Sequence, residues 1–330
     1  MLKIARCITF QHTMTEYMRA KGAFYGNLVG DALGAPVEFQ PRDSFPPVTG
    51  MLPCDTWGLP AGSFTDDGSL MLCMAASIVN AGQHDAANVL AHYLAWYIEG
   101  YMSVNGQCFD IGRTTRLAIE NYADTGLLEA RTTRDNQAGN GSVMRLAPIP
   151  VVYYKQSLPE IWAAGEASSK TTHGALAAVW GCGFWATLTA LAIQGKTKAE
   201  LLDWIGGLRA TLDAYPTAWT PVLECRFLTA AREEISSSGY VVDSCEAALW
   251  AFFRTETFAE GACMAVNLGR DADTVGAIYG ILAGAYYGYD GIPQEWLAVL
   301  QKKEMVAEVW KDLEPYVGGN LRFPSDPSLG

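Results

Sequence analysis

The sequence predicts an all-α fold. Three observations carry that expectation. Apolar residues recur at the three- and four-residue spacing of amphipathic helices through most of the chain. Strict alternation is scarce, and the best strand candidate is the short run Val151-Val152-Tyr153-Tyr154. Two segments carry glycine at every fourth position: Gly22, Gly26, Gly30 and Gly34, then Gly276, Gly280, Gly284 and Gly288. That spacing puts each set on one helical face. Glycine weakens a helix by about 1 kcal/mol per residue relative to alanine. Such stripes make sense where another helix backbone must come close. In lipid they mark helix pairs, but Lys21, Asn27, Asp31 and Asp290 point to a soluble core.

In chain order, the first helix covers 15–34 and ends at Gly34-Ala35-Pro36. The second covers 66–82, after Ser63-Phe64-Thr65. Helical patterns follow at 85–99, 110–123, 158–168, 174–194, 197–213, 218–236, 244–252, 258–267, 273–288 and 293–313. Between them, residues 138–147 run from a glycine loop into a short helix stopped by Pro148. The loops at 40–63, 101–109, 132–142 and 314–330 are rich in Gly, Pro and Asp. None reads as an interdomain linker. The expectation is one domain over 15–318, a disordered extension over 1–14 and a tail over 319–330.

The chain has 330 residues, 33 of them glycine; half are hydrophobic and 18% are charged. This is too apolar for a disordered chain. Lys plus Arg total 23 against 35 Asp plus Glu, a net charge of −12. Such a surface does not hold a nucleic-acid backbone by general electrostatics. Lys3, Arg6, Gln11 and His12 interrupt any signal-peptide core. No uninterrupted apolar run reaches membrane-spanning length. The eight cysteines form no C-x-x-C pair and read as small buried hydrophobes in a reducing cytoplasm.

The chemistry lies in the acidic motifs. Thr65-Asp66-Asp67-Gly68 opens the second helix, and Asp271-Ala272-Asp273-Thr274 opens the late glycine-striped one. Acids at a helix start can simply cap free N–H groups and complement the dipole. Two Thr-and-paired-Asp clusters suggest more. Clustered carboxylates repel and need protons or cations when buried. An oxygen-only set suits Mg²⁺ or Mn²⁺, and no His/Cys cluster has zinc spacing. Asp271-x-Asp273-x-Val275 also fits an aspartyl-phosphate phosphatase signature, but the buried strand that chemistry needs is missing before it. Glu38 follows the turn after the first helix, and Asp110 reads as the N-cap of the helix at 110–123. Ala138-Gly139-Asn140-Gly141-Ser142 can point successive backbone N–H groups at an anion. His173 begins the helix at 174–194 and reads as a cap, a core residue or a ligand contact.

Together these segments resemble the ADP-ribosylglycohydrolase family. The matching stretches run from GAFYGNLVGDALGAPVEF through SFTDDGSLML, FDIGRTTR, GNGSVMRLAPIP and His173 to AVNLGRDADTVGAIYGILAGAYYG. The DIGRTTR segment is most like the bacterial branch that includes dinitrogenase reductase-activating glycohydrolase. The resemblance implies a compact orthogonal multi-helix bundle with a binuclear metal site at the centre of one face. It implies two divalent cations, Mg²⁺ or Mn²⁺, held by Thr65, Asp66, Asp67, Asp271, Asp273 and Thr274. It places Gly139, Asn140, Gly141, Ser142 and His173 against the ligand's diphosphate and adjoining ribose.

The implied reaction is hydrolysis of an N-glycosyl bond. ADP-ribose leaves a modified protein side chain, arginine being favoured, through attack of a metal-activated water at ribose C1″. Asp66 or Glu38 would take a proton, and Asp110 would face the leaving group. Alternatives are O-linked or nucleic-acid-linked ADP-ribose, a non-catalytic ADP-ribose binder, and a nucleotide phosphohydrolase. A monomer without membrane or nucleic-acid partners is the expected state.

Overall fold

The two glycine-striped helices meet face to face. The computed structural model describes residues 14–130, 138–211 and 215–319. These form α1 Glu16–Gly34, α2 Asp66–Ala81, α3 Ala86–Glu99, α4 Arg113–Thr125, α5 Pro148–Tyr153, α6 Leu158–Lys170 and α7 Leu176–Ile193. They continue with α8 Lys198–Thr211, α9 Thr220–Leu223, α10 Val241–Arg254, α11 Phe258–Val266, α12 Ala272–Tyr287, α13 Gln294–Val299 and α14 Lys303–Leu313. The fold is all-α: among the described residues there is no strand, only isolated bridges between Cys54 and Leu59 and between Gly139 and Tyr240. The expected extension and tail fall almost wholly outside the described residues, as does Cys7.

α1 and α12 run antiparallel. A methyl group at Gly22, Gly26 or Gly30 would overlap the carbonyl oxygen of Gly284, Gly280 or Gly276 respectively. Gly34 opposes Ala272 instead. The seam therefore brings the C-terminal end of α1 against the N-terminal end of α12. Asp31, on the last turn of α1, fixes the third terminus. Its carboxylate accepts from the N–H of Thr65 at 3.0 Å and of Gly68 at 2.8 Å, at the start of α2. Asp31 thereby satisfies donors that a helix start leaves orphaned.

α7 is apolar enough along its 18 residues to cross a membrane by length and composition, yet 94% of it is buried inside the protein. It is a core helix. Trp180, Phe184, Trp185 and Trp219 pack there, with Trp180 and Phe184 ring centroids 5.5 Å apart.

Several expected elements are corrected. Val151-Val152-Tyr153 lies in helix α5, with Tyr154 as its C-cap, and is not a strand. These residues are buried on all sides, so periodicity could not separate helix from strand. Pro148 opens α5 instead of stopping a helix before it, a position where its missing N–H costs nothing. The span 218–236 is not one helix. Cys225, at φ 56°, leaves the helical region and separates α9 from single 3₁₀ turns. Lys302, at φ 55°, likewise splits 293–313 into α13 and α14.

Candidate metal and ligand site

The motifs at the helix termini converge on a cavity of about 360 Å³. Its wall includes Glu38, Asp66, Asp110, Asp271, Asp273 and Thr274, together with Gly139, Asn140, Gly141 and His173. Thr65 and Asp67 sit just behind it. The Thr65 hydroxyl lies 3.1 Å from Asp31, 3.5 Å from Asp67 and 3.3 Å from Asp273. Thr274 reaches Asp67 at 3.5 Å.

The capping explanation for these acids is not what the structure shows. Neither Thr65 nor Asp271 caps its helix with its side chain. Asp31 does that work for α2, which frees the carboxylates of Asp66 and Asp67. Asp110 is also not an N-cap: α4 begins at Arg113, with Gly112 in the cap position. Asp110 instead adopts φ 61° in the loop. That left-handed conformation is tolerated by Asp better than by most residues.

Burial dominates the electrostatics. It pushes every acid of the cluster upward, Asp66, Asp67 and Asp273 well above the usual carboxylate range. Glu38 is pushed up to about 10, first by burial and then by the charge of Asp110. Asp110 and Asp31 are each raised to about 7, chiefly by burial. Such a cluster needs either protons or cations. Three of its buried oxygens, Asp67 Oδ1, Asp110 Oδ2 and Asp273 Oδ1, have no hydrogen-bond partner among the described residues. One oxygen each from Glu38, Asp110 and Asp273 lies within 4.8 Å of the others. This all-oxygen set fits a hard divalent cation.

The glycine loop is tied to the acids. Asn140 donates its side-chain N–H groups to Ser244 at 2.8 Å and to Asp271. Its backbone N–H donates to Gly239. His173 is buried, and its Nδ1 lies 2.7 Å from the Thr172 hydroxyl. Burial lowers its pKa to about 3, so the ring is neutral. Ser142 departs from expectation. Its hydroxyl is fully buried, accepts from Ser169 at 2.9 Å and Cys182 at 3.3 Å, and is absent from the cavity wall. Its side chain supports the loop from behind.

Motif reading passes over two residues. Asp31 is fully buried at the centre of the acid cluster. An acid in the apolar, glycine-striped second half of α1 was the available signal, since a buried charge needs a partner. Phe39 lines the cavity, 65% exposed, with φ 63°. Its N–H donates to Arg270 at 2.6 Å, while the Arg270 N–H donates to Gln40 at 2.7 Å. Arg270 itself has φ 60°. That left-handed conformation is one glycine adopts without cost, so an arginine there is strained.

The fold and cavity define an all-helical protein with an acidic, all-oxygen site joined to a glycine-lined pocket. A family model for ADP-ribosylglycohydrolase matches residues 12–320. The chain is 36% identical over 295 residues to the ADP-ribosylarginine hydrolase Tri1 of Serratia proteamaculans, covering 89% of this chain and 78% of that protein. It is 31% identical to the ADP-ribosyl-[dinitrogen reductase] glycohydrolase of Rhodospirillum rubrum, covering 86% and 91%. A solved structure titled an ADP-ribosylglycohydrolase-related protein complex matches with TM-score 0.80 and 40% identity, covering 91% of this chain and 98% of that one. The chain belongs to the ADP-ribosylglycohydrolase family and is an enzyme of that class.

Proposed function

We propose that this enzyme releases ADP-ribose from modified arginine side chains, using two divalent cations, Mg²⁺ or Mn²⁺. The observation that carries the reading is one cavity joining the acid cluster, three of whose oxygens have no partner among the described residues, to the Gly139–Gly141 loop. The relatives named for ADP-ribosylarginine support the acceptor.

Thr65, Asp66, Asp67, Asp271, Asp273 and Thr274 would hold the cations, with Asp31 orienting Thr65. When bound, divalent cations there make water more acidic and neutralise developing negative charge. The protein's own groups do the rest. The loop amides of Gly139 and Gly141 and the His173 ring bind the anionic half of the substrate. Asp66 and Glu38 line the same cavity and can accept a proton from the attacking water. In the metal-free site burial keeps both protonated, so they become acceptors once cations hold the cluster. Asp110, raised to about 7, can deliver a proton to a departing guanidine near neutral pH. Its carboxylate also attracts a cationic acceptor.

A product assay tests this. With an ADP-ribosylated arginine peptide, the expected products are intact ADP-ribose and unmodified arginine, and EDTA stops the reaction. AMP or phosphate as product overturns the reading in favour of phosphohydrolysis. Faster release from serine-linked or base-linked substrates, run in parallel, overturns the arginine assignment.

A further inference from the structure

Behind the glycine loop lies a buried cation whose role the proposed reaction does not use. Arg145 has no exposed surface. Its Nη1 donates to the carbonyl of Gly141 at 2.8 Å, and its Nη2 donates to the Thr172 hydroxyl at 2.6 Å. Its guanidinium carbon lies 4.6 Å from the centre of the Tyr93 ring. It forms no ion pair among the described residues. A buried cation held only by neutral groups is expensive unless an anion comes near.

The hydrogen bonds fix more than the loop. Arginine can only donate, so the Thr172 oxygen must accept from Arg145. The oxygen has a second lone pair that could accept from a protonated His173 Nδ1, but the Thr172 proton would then have no acceptor among the described residues; directed at Nδ1, 2.7 Å away, that proton is used. A neutral imidazole whose Nδ1 accepts carries its proton on Nε2. The Nε2 edge is the one at the loop. A methyl group built at Gly141 would lie 3.0 Å from Nε2, and one at Gly139 would lie 3.5 Å from it. His173, Gly139 and Gly141 all line the cavity.

We infer that Arg145 and Thr172 are positioning residues that lock His173 as the Nε2–H tautomer, making it a fixed neutral donor to the anionic half of the ligand. This rests on the reading of the glycine loop as the diphosphate and ribose subsite. The opposite tautomer would turn a lone pair towards ligand oxygens and repel them. Burial of the ring is consistent with this role, because it keeps the donor uncharged. The same short approach explains why the loop has glycine where it passes the ring. A side chain at 141 would displace His173.

Nitrogen-15 NMR of the histidine-labelled full-length protein reads the tautomer directly, with His173→Asn assigning the signal. The wild type should show protonated Nε2 and unprotonated Nδ1. Thr172→Val should give a mixture of tautomers. It should also weaken ADP-ribose binding, measured by calorimetry, by roughly tenfold to a hundredfold, the scale of one hydrogen bond to a charged group. Divalent-ion affinity should stay unchanged. Thr172→Ser retains the hydroxyl and should restore both tautomer and affinity, which a purely space-filling role would not require. A wild-type Nδ1–H tautomer overturns the inference, and this result does not depend on the Val variant folding. Unchanged affinity in a Val variant with mixed tautomers overturns it too, as does affinity loss with the tautomer intact. Failure of the ligand reading looks different: the wild type would show the Nε2–H signal yet not bind ADP-ribose.

Discussion

One part of the cavity wall carries Glu38, Asp66, Asp110, Asp271 and Asp273; another carries Gly139, Gly141 and His173, with Arg145 buried behind. The acid side has carboxylate oxygens without partners, held close by rigid helix ends. The glycine side has its hydrogen bonds arranged in advance, with a neutral ring and a buried cation. The difference teaches that an acidic protein can prepare two subsites of opposite electrostatic preference within a few side chains of each other. Asn140, bonded to both the loop and Asp271, couples them.

The sharpest way to break this contrast is to remove an acid-side ligand. Asp273→Asn should lower kcat/KM by about 10³-fold or more, the scale of several kcal/mol of cation stabilisation. Calorimetric titration with Mn²⁺ should show the tight sites lost, while ADP-ribose binding persists more weakly through the loop. Retained turnover with lost Mn²⁺ binding would refute the acid side as the catalytic half.

Asp31→Ala tests a residue of the same cluster with a different duty. It removes the acceptor for the start of α2 and should destabilise the protein by about 1–3 kcal/mol in urea unfolding, the cost of buried unsatisfied donors. Gly30→Ala attacks the seam that holds both sides. With the Gly276 carbonyl in the way, overpacking should cost about 1–3 kcal/mol. Gly206, on the exposed face of α8 with nothing near its missing side chain, is the control. Gly206→Ala should instead stabilise by about 0.5–1 kcal/mol.

The pH response separates the two sides by sign. Glu38 at about 10 and Asp110 at about 7 lie above ordinary carboxylate values. The metal-free fold therefore binds protons that the unfolded chain releases. That stabilising contribution is complete below about pH 4 and is lost as pH rises through about 7 and then 10. Cations replace those protons. The melting-temperature gap between cation-loaded and EDTA-treated protein should widen from about pH 5 to pH 8. His173, lowered to about 3 by burial, costs stability as pH falls below about 6.5, but equally in loaded and EDTA-treated protein, so it cancels from the gap. A gap constant with pH would mean that the acids are not the cation ligands.

Much of this was legible in the chain. Strong helical periodicity located α1, α2, α3, α7, α8 and α12 within a few residues. The TDD and DADT motifs, the glycine loop and His173 all come together in or against one cavity. Errors fell where local pattern carries no information about direction. Ser142 sits in a loop whose other members face the cavity, but its hydroxyl is claimed by Ser169 and Cys182 from distant helices. Asp110 resembles a cap until the left-handed turn at φ 61° removes it from the helix. The breaks near Cys225 and Lys302 include positive-φ residues that are not glycine, which composition does not announce.

By itself the sequence determined the helices, the acid inventory and the glycine stripes, because helical period, side-chain chemistry and the absence of a Cβ are local properties. Only the tertiary structure decided that Asp31 caps α2, and that among the described residues Arg145 stands behind the loop without a carboxylate and three acid oxygens lack partners. Those outcomes depend on which atoms meet between separate elements of the chain, and in a close-packed interior that is set by the whole fold at once.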